Sequence, residues 1–184
     1  MAQKSLLKKL PFILPIIAFL GLAIISAIGL YGNLSGTRNQ EQLPSVLIGQ
    51  KAPALPATAY QPDLAKTIEA FQGQPILVNF MASWCAPCKA EAPALALLAE
   101  DVPIIGIAYK DKLDDTSQFL EQFGNPYSAL WMDYDGRTAI EWGVYGVPET
   151  FVIDGDGTII VRHAGPIFKE VLTDIIRPAL QDLK

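Results

Sequence analysis

Histidine occurs once in this chain, at His163, and cysteine twice, at Cys85 and Cys88. So few thiols exclude a scaffold stapled by several disulfides, and a single imidazole leaves no easy route to a four-ligand zinc site. Basic residues are scarce as well, 14 lysines and arginines against 19 acids. Three of them, Lys4, Lys8 and Lys9, lie in the first 32 residues, which hold no acid, so the remainder carries 11 basic against 19 acidic residues, a balance of −8. That sign argues against nucleic acid as a partner. Internal repeats and low-complexity tracts are lacking too, which leaves a chain of 184 residues, 51% hydrophobic, for one substantial core and any membrane segment.

What is present begins with an apolar run. Leu10 to Tyr31 continues for 22 residues without a charge, a helix of roughly 33 Å at about 1.5 Å per residue, against a hydrocarbon core of roughly 30 Å. Pro11 and Pro15 fall in its first turns, where proline is tolerated. Residues 1–9 are basic and are expected in the cytoplasm, residues 10–31 form a signal-anchor, and everything after them is exported. A cleaved signal peptide is the competing reading, with Ser26 and Ala27 as small residues near a cleavage site. The apolar region of such peptides is about 7–15 residues long, so the length favours an uncleaved anchor. A run with no polar face is also unlike a buried globular helix. Residues 32–50 mix Gly, Ser, Asn, Gln and Pro and read as a tether, followed by a folded domain over 51–184. Its first stretch, Lys51 to Gly73, has three prolines and short apolar pieces, which suits a β-hairpin or an irregular cover.

From Pro75 the pattern alternates. Pro75 to Met81 and Pro103 to Tyr109 are buried strands, and Ala86 to Ala99 and Asp114 to Phe123 are helices, which makes a βαβ unit. Ser128 to Met132 reads as a strand and Gly136 to Trp142 as a short helix. Thr150 to Asp154 and Thr158 to His163 form a hairpin turning at Gly155-Asp156-Gly157, and Ile167 to Leu183 is a final amphipathic helix bent at Pro178. The fold class is α/β with an antiparallel ending.

The cysteines fall where the first of these strands meets its helix. Orphan backbone N–H groups and the positive end of the helix dipole stabilise a thiolate there. Cys85 is accordingly the candidate nucleophile toward disulfides, and Cys88, one turn further in and buried, the resolving thiol. A lone structural disulfide is the plainer alternative, but so short a loop constrains the unfolded chain very little. Pro87 lacks an N–H at a helix position where that donor is unpaired anyway.

Trp84-Cys85-Ala86-Pro87-Cys88-Lys89, with Pro93 five residues after Cys88 and Gly146-Val147-Pro148-Glu149-Thr150 further on, resembles the active site of the thioredoxin superfamily. Within it, Cys85 to Pro93, Gly143 to Asp154 and Arg162-His163-Ala164-Gly165 are similar to the CcmG/DsbE family of membrane-anchored periplasmic proteins of cytochrome c maturation. The resemblance implies a thioredoxin-like fold, a mixed central sheet flanked by helices, preceded by a single N-terminal transmembrane helix in the bacterial inner membrane with the catalytic domain in the periplasm. It implies a redox-active Cys85–Cys88 disulfide kept reduced by a transmembrane thiol reductase of the DsbD or CcdA kind, serving apocytochrome c or a thiol carrier, with neither metal nor other cofactor. It implies a cis peptide at Pro148, which only an X–Pro bond tolerates readily, and a Val147 backbone presented to an extended substrate.

Where general thioredoxins carry a buried aspartate this chain has Asn79, which does not titrate, and the family offers Glu91 instead as proton acceptor, expected near Cys88 with a raised pKa. A solvated glutamate on the helix's first turns is the plainer alternative. Glu149 is a candidate for an acidic groove or for a plain surface role. Trp84 is expected to pack beside the pair and exclude water, and Tyr145 to hydrogen-bond near it, with simple packing as the competitor for both. His163, at a strand end, reads as structural. Three functions compete: a thiol–disulfide reductant of cytochrome c biogenesis; a reductase of another pathway, TlpA- or ResA-like, or an oxidant; and a copper-delivery module, for which a nearby histidine or methionine ligand is wanting.

Overall fold

The computed structural model describes residues 15–28, 45–60 and 68–183. The chain divides into two units, Met1–Gln42 and Leu43–Lys184. In the first, residues 15–28 are helical (α1) and exposed along their length. Among the described residues no helix is long and apolar enough to cross a membrane. The expected span over 10–31 runs past α1 at both ends, into residues outside the described ones, as do the cytoplasmic segment 1–9 and most of the tether.

The second unit starts earlier than composition suggests. Residues 45–50 were expected in the tether, yet Gly49 N–H donates to Ile159 O at 2.8 Å and Ile159 N–H to Gln50 O at 2.9 Å. Leu47 packs against the core. One apolar side chain and an unpaired sheet edge are enough to recruit a segment that is otherwise polar.

The sheet has six strands in the order β1-β4-β3-β2-β5-β6. They are β1 (Thr58–Ala59), β2 (Ile76–Met81), β3 (Ile104–Tyr109), β4 (Ala129–Asp133), β5 (Glu149–Ile153) and β6 (Ile159–Ala164). The central three run parallel, β5 is antiparallel to β2, β6 to β5 and β1 to β4. This is the thioredoxin-like α/β fold with a mixed sheet. In place of a separate hairpin before β2, β1 joins β4 and a short 3-10 turn follows at Ile68–Phe71.

Both faces of the sheet are covered, so β2 is buried at every position and its side chains simply alternate. Ile76, Val78 and Phe80 enter one layer with Phe151, Ile153, Trp131 and Trp142. Leu77 and Met81 enter the other, against α2 (Ala86–Leu98), α3 (Leu113–Phe123) and the C-terminal helix. In the first layer Phe80, Trp142 and Phe151 meet edge to face, with ring centroids 5.1–5.9 Å apart. The short helix α4 (Arg137–Glu141) carries Ala139 into this layer.

The C-terminal helix changes pitch before its proline. α5 (Lys169–Val171) passes through a π segment, Leu172–Ile176, into α6 (Arg177–Gln181), and Arg177 N–H donates to Leu172 O five residues back. Pro178 has no N–H to continue the ordinary ladder, and the wider turn absorbs that break. The β5–β6 hairpin turns where expected, with Gly157 at φ +82° and the Asp154 carboxylate accepting from Asp156 and Thr158 N–H.

Candidate active site

Cys85 caps α2. Its backbone is extended, and its Sγ accepts from Cys88 N–H at 3.1 Å, one of the donors a helix start leaves without an internal partner. Pro87 occupies the first turn. Cys85 and Cys88 form a disulfide with Cα atoms 5.3 Å apart, and both are buried. Electron density left on Cys85 after reduction therefore faces an N–H and the positive end of a helix.

The segment leading into the cysteines is lashed to the end of β3. Asp111, itself buried, accepts from Ser83 N–H at 2.6 Å, Ser83 Oγ at 2.8 Å, Lys112 N–H at 2.9 Å and Thr116 Oγ1 at 3.0 Å. Trp84 Nε1 donates to Lys110 O at 3.3 Å, and Lys110 takes a left-handed φ of +46° that side chains other than glycine rarely adopt. Sequence reasoning passed over Asp111, although the carboxyl ends of parallel strands are where α/β sheets place their sites. Trp84 is 59% exposed and stands beside Tyr109 at the surface. A tether from the indole N–H to a loop carbonyl holds the ring outward.

Across from the disulfide, the Val147–Pro148 peptide bond is cis. The Val147 carbonyl oxygen lies 3.4 Å from Cys85 Sγ, and Gly165 N–H donates to Pro148 O at 2.9 Å. Tyr145 is exposed, and its ring lies under the Arg162 guanidinium, 4.9 Å from its centroid. Glu149 is wholly buried, paired through Oε1 with Arg162 Nε, so its carboxylate lines no open groove and is not on the surface. Burial pushes its pKa up, opposed by Arg162 and by the Tyr145 backbone.

Glu91 lies on the same buried face of α2 as Cys88, one turn on. It has no exposed surface. Oε1 accepts from Asn79 Nδ2 and Oε2 from Ile167 N–H, both at 3.0 Å. Burial pushes its pKa from 4.5 to about 7, and the two hydrogen bonds only partly offset that. The plainer picture of a solvated glutamate does not hold. No cation is among these contacts, so the proton on Glu91 is exchangeable near neutrality.

Asn79, at the position where general thioredoxins carry an aspartate, thus touches the Glu91 carboxyl group. Its Oδ1 accepts from Tyr127 OH at 2.8 Å, which orients the amide so that Nδ2 faces both Glu91 and Thr150 Oγ1, the latter at 3.0 Å. Gly106, opposite Asn79 on β3, is what lets Tyr127 in: a Cβ there would come within 2.8 Å of the Tyr127 ring. Burial, then the charge of Glu91, pushes the Tyr127 phenol well above its ordinary pKa, so it stays a donor. Neither Tyr127 nor Thr150 was legible as a site residue, because they approach Asn79 only through packing and strand register. His163, opposite Thr150 on β6, is buried, and burial lowers its pKa despite a hydrogen bond at the Pro166 backbone.

Residues 48–162 match the AhpC/TSA family. The chain is 42% identical over 172 residues to the thiol:disulfide interchange protein CycY of Rhizobium leguminosarum bv. viciae, covering 92% of each. It is 36% identical over 180 residues to thiol:disulfide interchange protein DsbE of Escherichia coli K12, covering 94% of each. Among solved structures, a candidate thiol:disulfide interchange protein DsbE from Chlorobium tepidum superposes with a TM-score of 0.64 at 27% identity, covering 74% of this chain and 99% of that one.

Proposed function

Since the chain belongs to the AhpC/TSA family and is a thiol:disulfide interchange protein of the DsbE/CcmG type, we propose that it works as a periplasmic reductant in cytochrome c maturation. The observation that carries the chemistry is the placement of Cys85 Sγ, at the start of α2 with Cys88 N–H at 3.1 Å and the Val147 carbonyl at 3.4 Å. The substrate is a disulfide in an extended peptide, apocytochrome c with its Cys-x-x-Cys-His segment or a thiol carrier, which adds as a strand beside Val147 and Pro148.

In the reduced protein the Cys85 thiolate attacks one sulfur of that disulfide. A Cys85–substrate bond forms, the substrate bond breaks, and the released sulfur takes up a proton. Cys88 passes its own proton to Glu91 and attacks Cys85, which forms the Cys85–Cys88 disulfide and expels the second substrate sulfur. Two electrons have then moved to the substrate. A donor dithiol on a transmembrane reductase of the DsbD or CcdA kind reverses the sequence and restores the pair. The uncharged, predominantly apolar helix α1 supports a single-pass anchor with residues 1–9 in the cytoplasm, joined to the domain by a tether that ends before residue 45.

Trapping tests the reading. Cys88→Ala in the full-length chain strands the mixed disulfide on Cys85. Recovery chiefly of c-type cytochrome precursors or a dedicated thiol carrier is the expected result. A broad set of secreted proteins on Cys85 would instead favour a general periplasmic reductase.

A further inference from the structure

The active-site segment between Trp142 and Thr150 is held by a side chain from a different strand. Arg162, in the interior of β6, faces Phe151 of β5 in the sheet register. Its Nε donates to Glu149 Oε1, its Nη2 donates to Gly143 O at 2.7 Å, and its guanidinium covers the Tyr145 ring at 4.9 Å and approaches the Phe151 ring at 5.9 Å. One cation therefore grips residues 143, 145 and 149, with Val147 and Pro148 between them. Gly143, Tyr145 and Gly146 are themselves exposed and bring little packing of their own.

The Arg162 side chain is 8% exposed and that of Glu149 not at all. Taking both charges out of water is an expensive way to stabilise a fold, and apolar residues of similar size commonly do as well. A guanidinium fork offers something those residues lack: donors fixed in one plane, which tie a carboxylate and a backbone carbonyl at a set separation. We propose that Arg162 is a positioning residue that clasps residues 143–149 in register with Cys85, so that the Val147 edge grips an extended peptide disulfide. This rests on the reading of the chain as a peptide-disulfide reductant. A small disulfide reaches Cys85 without pairing with that edge and does not need the clasp.

The test uses the full-length reduced chain with two probes, a short linear peptide closed by a Cys-x-x-Cys disulfide and the small aromatic disulfide dithiobisnitrobenzoate. Arg162→Lys keeps a cation beside Glu149 but cannot hold Gly143 O as well. Its KM for the peptide is expected to rise at least about tenfold, with kcat and the rate toward the small disulfide within about twofold of the unaltered chain. The double variant Arg162→Met with Glu149→Gln, which removes both charges together, is expected to show the same split. Equal losses on both probes, or unchanged peptide kinetics, overturn the proposal. Failure of both variants to fold also overturns it, since the pair would then serve the fold and not substrate register. If the unaltered chain reduces the small disulfide but not the peptide, the underlying reading fails instead.

Discussion

Two glutamates of this domain, Glu91 and Glu149, have no exposed surface, and burial raises the pKa of each. Their surroundings differ in one respect. Glu91 meets only neutral donors, the Asn79 amide and the Ile167 N–H, whereas Glu149 is paired with the Arg162 guanidinium. A buried carboxyl without a cation keeps a proton it can give and take near neutral pH. One beside a guanidinium has that rise opposed by the neighbouring cation, and the pair ties two segments together. Desolvation alone does not mark a proton carrier; the sign of the neighbour decides.

The largest effect that would test this contrast is on stability. Arg162→Ala leaves Glu149 buried and unpaired and is expected to cost about 3–5 kcal/mol, read from urea unfolding of the oxidised protein. A loss below about 1 kcal/mol would place Glu149 in a wetter setting than its burial indicates.

The pH dependence of stability isolates Glu91. Its folded pKa lies above its unfolded one, so between pH 4.5 and about 7 the folded protein holds a proton that the unfolded chain has released. Stability is therefore full at low pH and falls as pH rises through that window, by on the order of 3 kcal/mol at about 1.36 kcal/mol per pH unit. In Glu91→Gln that share of the decline should vanish, as urea midpoints of the oxidised protein at pH 5 and pH 8 will show. An identical slope in the two proteins would remove Glu91 as the titrating group.

The same substitution is expected to slow resolution of the Cys85 mixed disulfide by about a hundredfold above pH 7, where Glu91 is ionised and ready to accept from Cys88. Rapid-quench alkylation measures that step directly. Initial attack by Cys85 should be little changed.

A smaller effect sharpens the Glu91 side alone. Tyr127→Phe frees the Asn79 amide from the bond that orients it and is expected to cost about 1 kcal/mol. Gly106→Ala, which drives a methyl group against the Tyr127 ring, is expected to cost somewhat more, about 1–3 kcal/mol. Both should shift the pH profile of resolution as well as stability; a change in stability alone would make the Asn79 network merely structural.

Much of the domain was legible because the relevant signals are local. Pro75 to Met81 reads as a strand and Ala86 to Ala99 as a helix, and the structure has β2 at Ile76–Met81 and α2 at Ala86–Leu98. The hairpin around Gly157 follows from a single residue whose backbone options are restricted, whereas at Pro178 the expected bend gives way to a π segment over Leu172–Ile176. What escaped was non-local. Ser45 to Gln50 looks like tether, and only the edge of β6 shows why it is folded. Asp111 gives no sign of its four donors, because Ser83, 28 positions earlier, meets it only across two parallel strands. Glu149 was read as lining a groove or lying on the surface, and only its pairing with Arg162 shows why it is buried.

The amino-acid sequence by itself determined the reactive element: a thiol pair at a strand-to-helix junction, because secondary-structure period and helix-start chemistry are written within a dozen residues. The resemblance to the CcmG/DsbE family pointed to Glu91, and the structure buries it on the helix face it shares with Cys88. Only the tertiary structure decided what each buried acid meets. Asn79, Thr150 and His163 form one row, and Phe151 and Arg162 pair on the opposite face, through the register of β2, β5 and β6. β5 and β6 are neighbours in a hairpin, but Asn79 of β2 and Thr150 of β5 are 71 residues apart, and register between strands that distant is a property of the closed core, not of any local stretch.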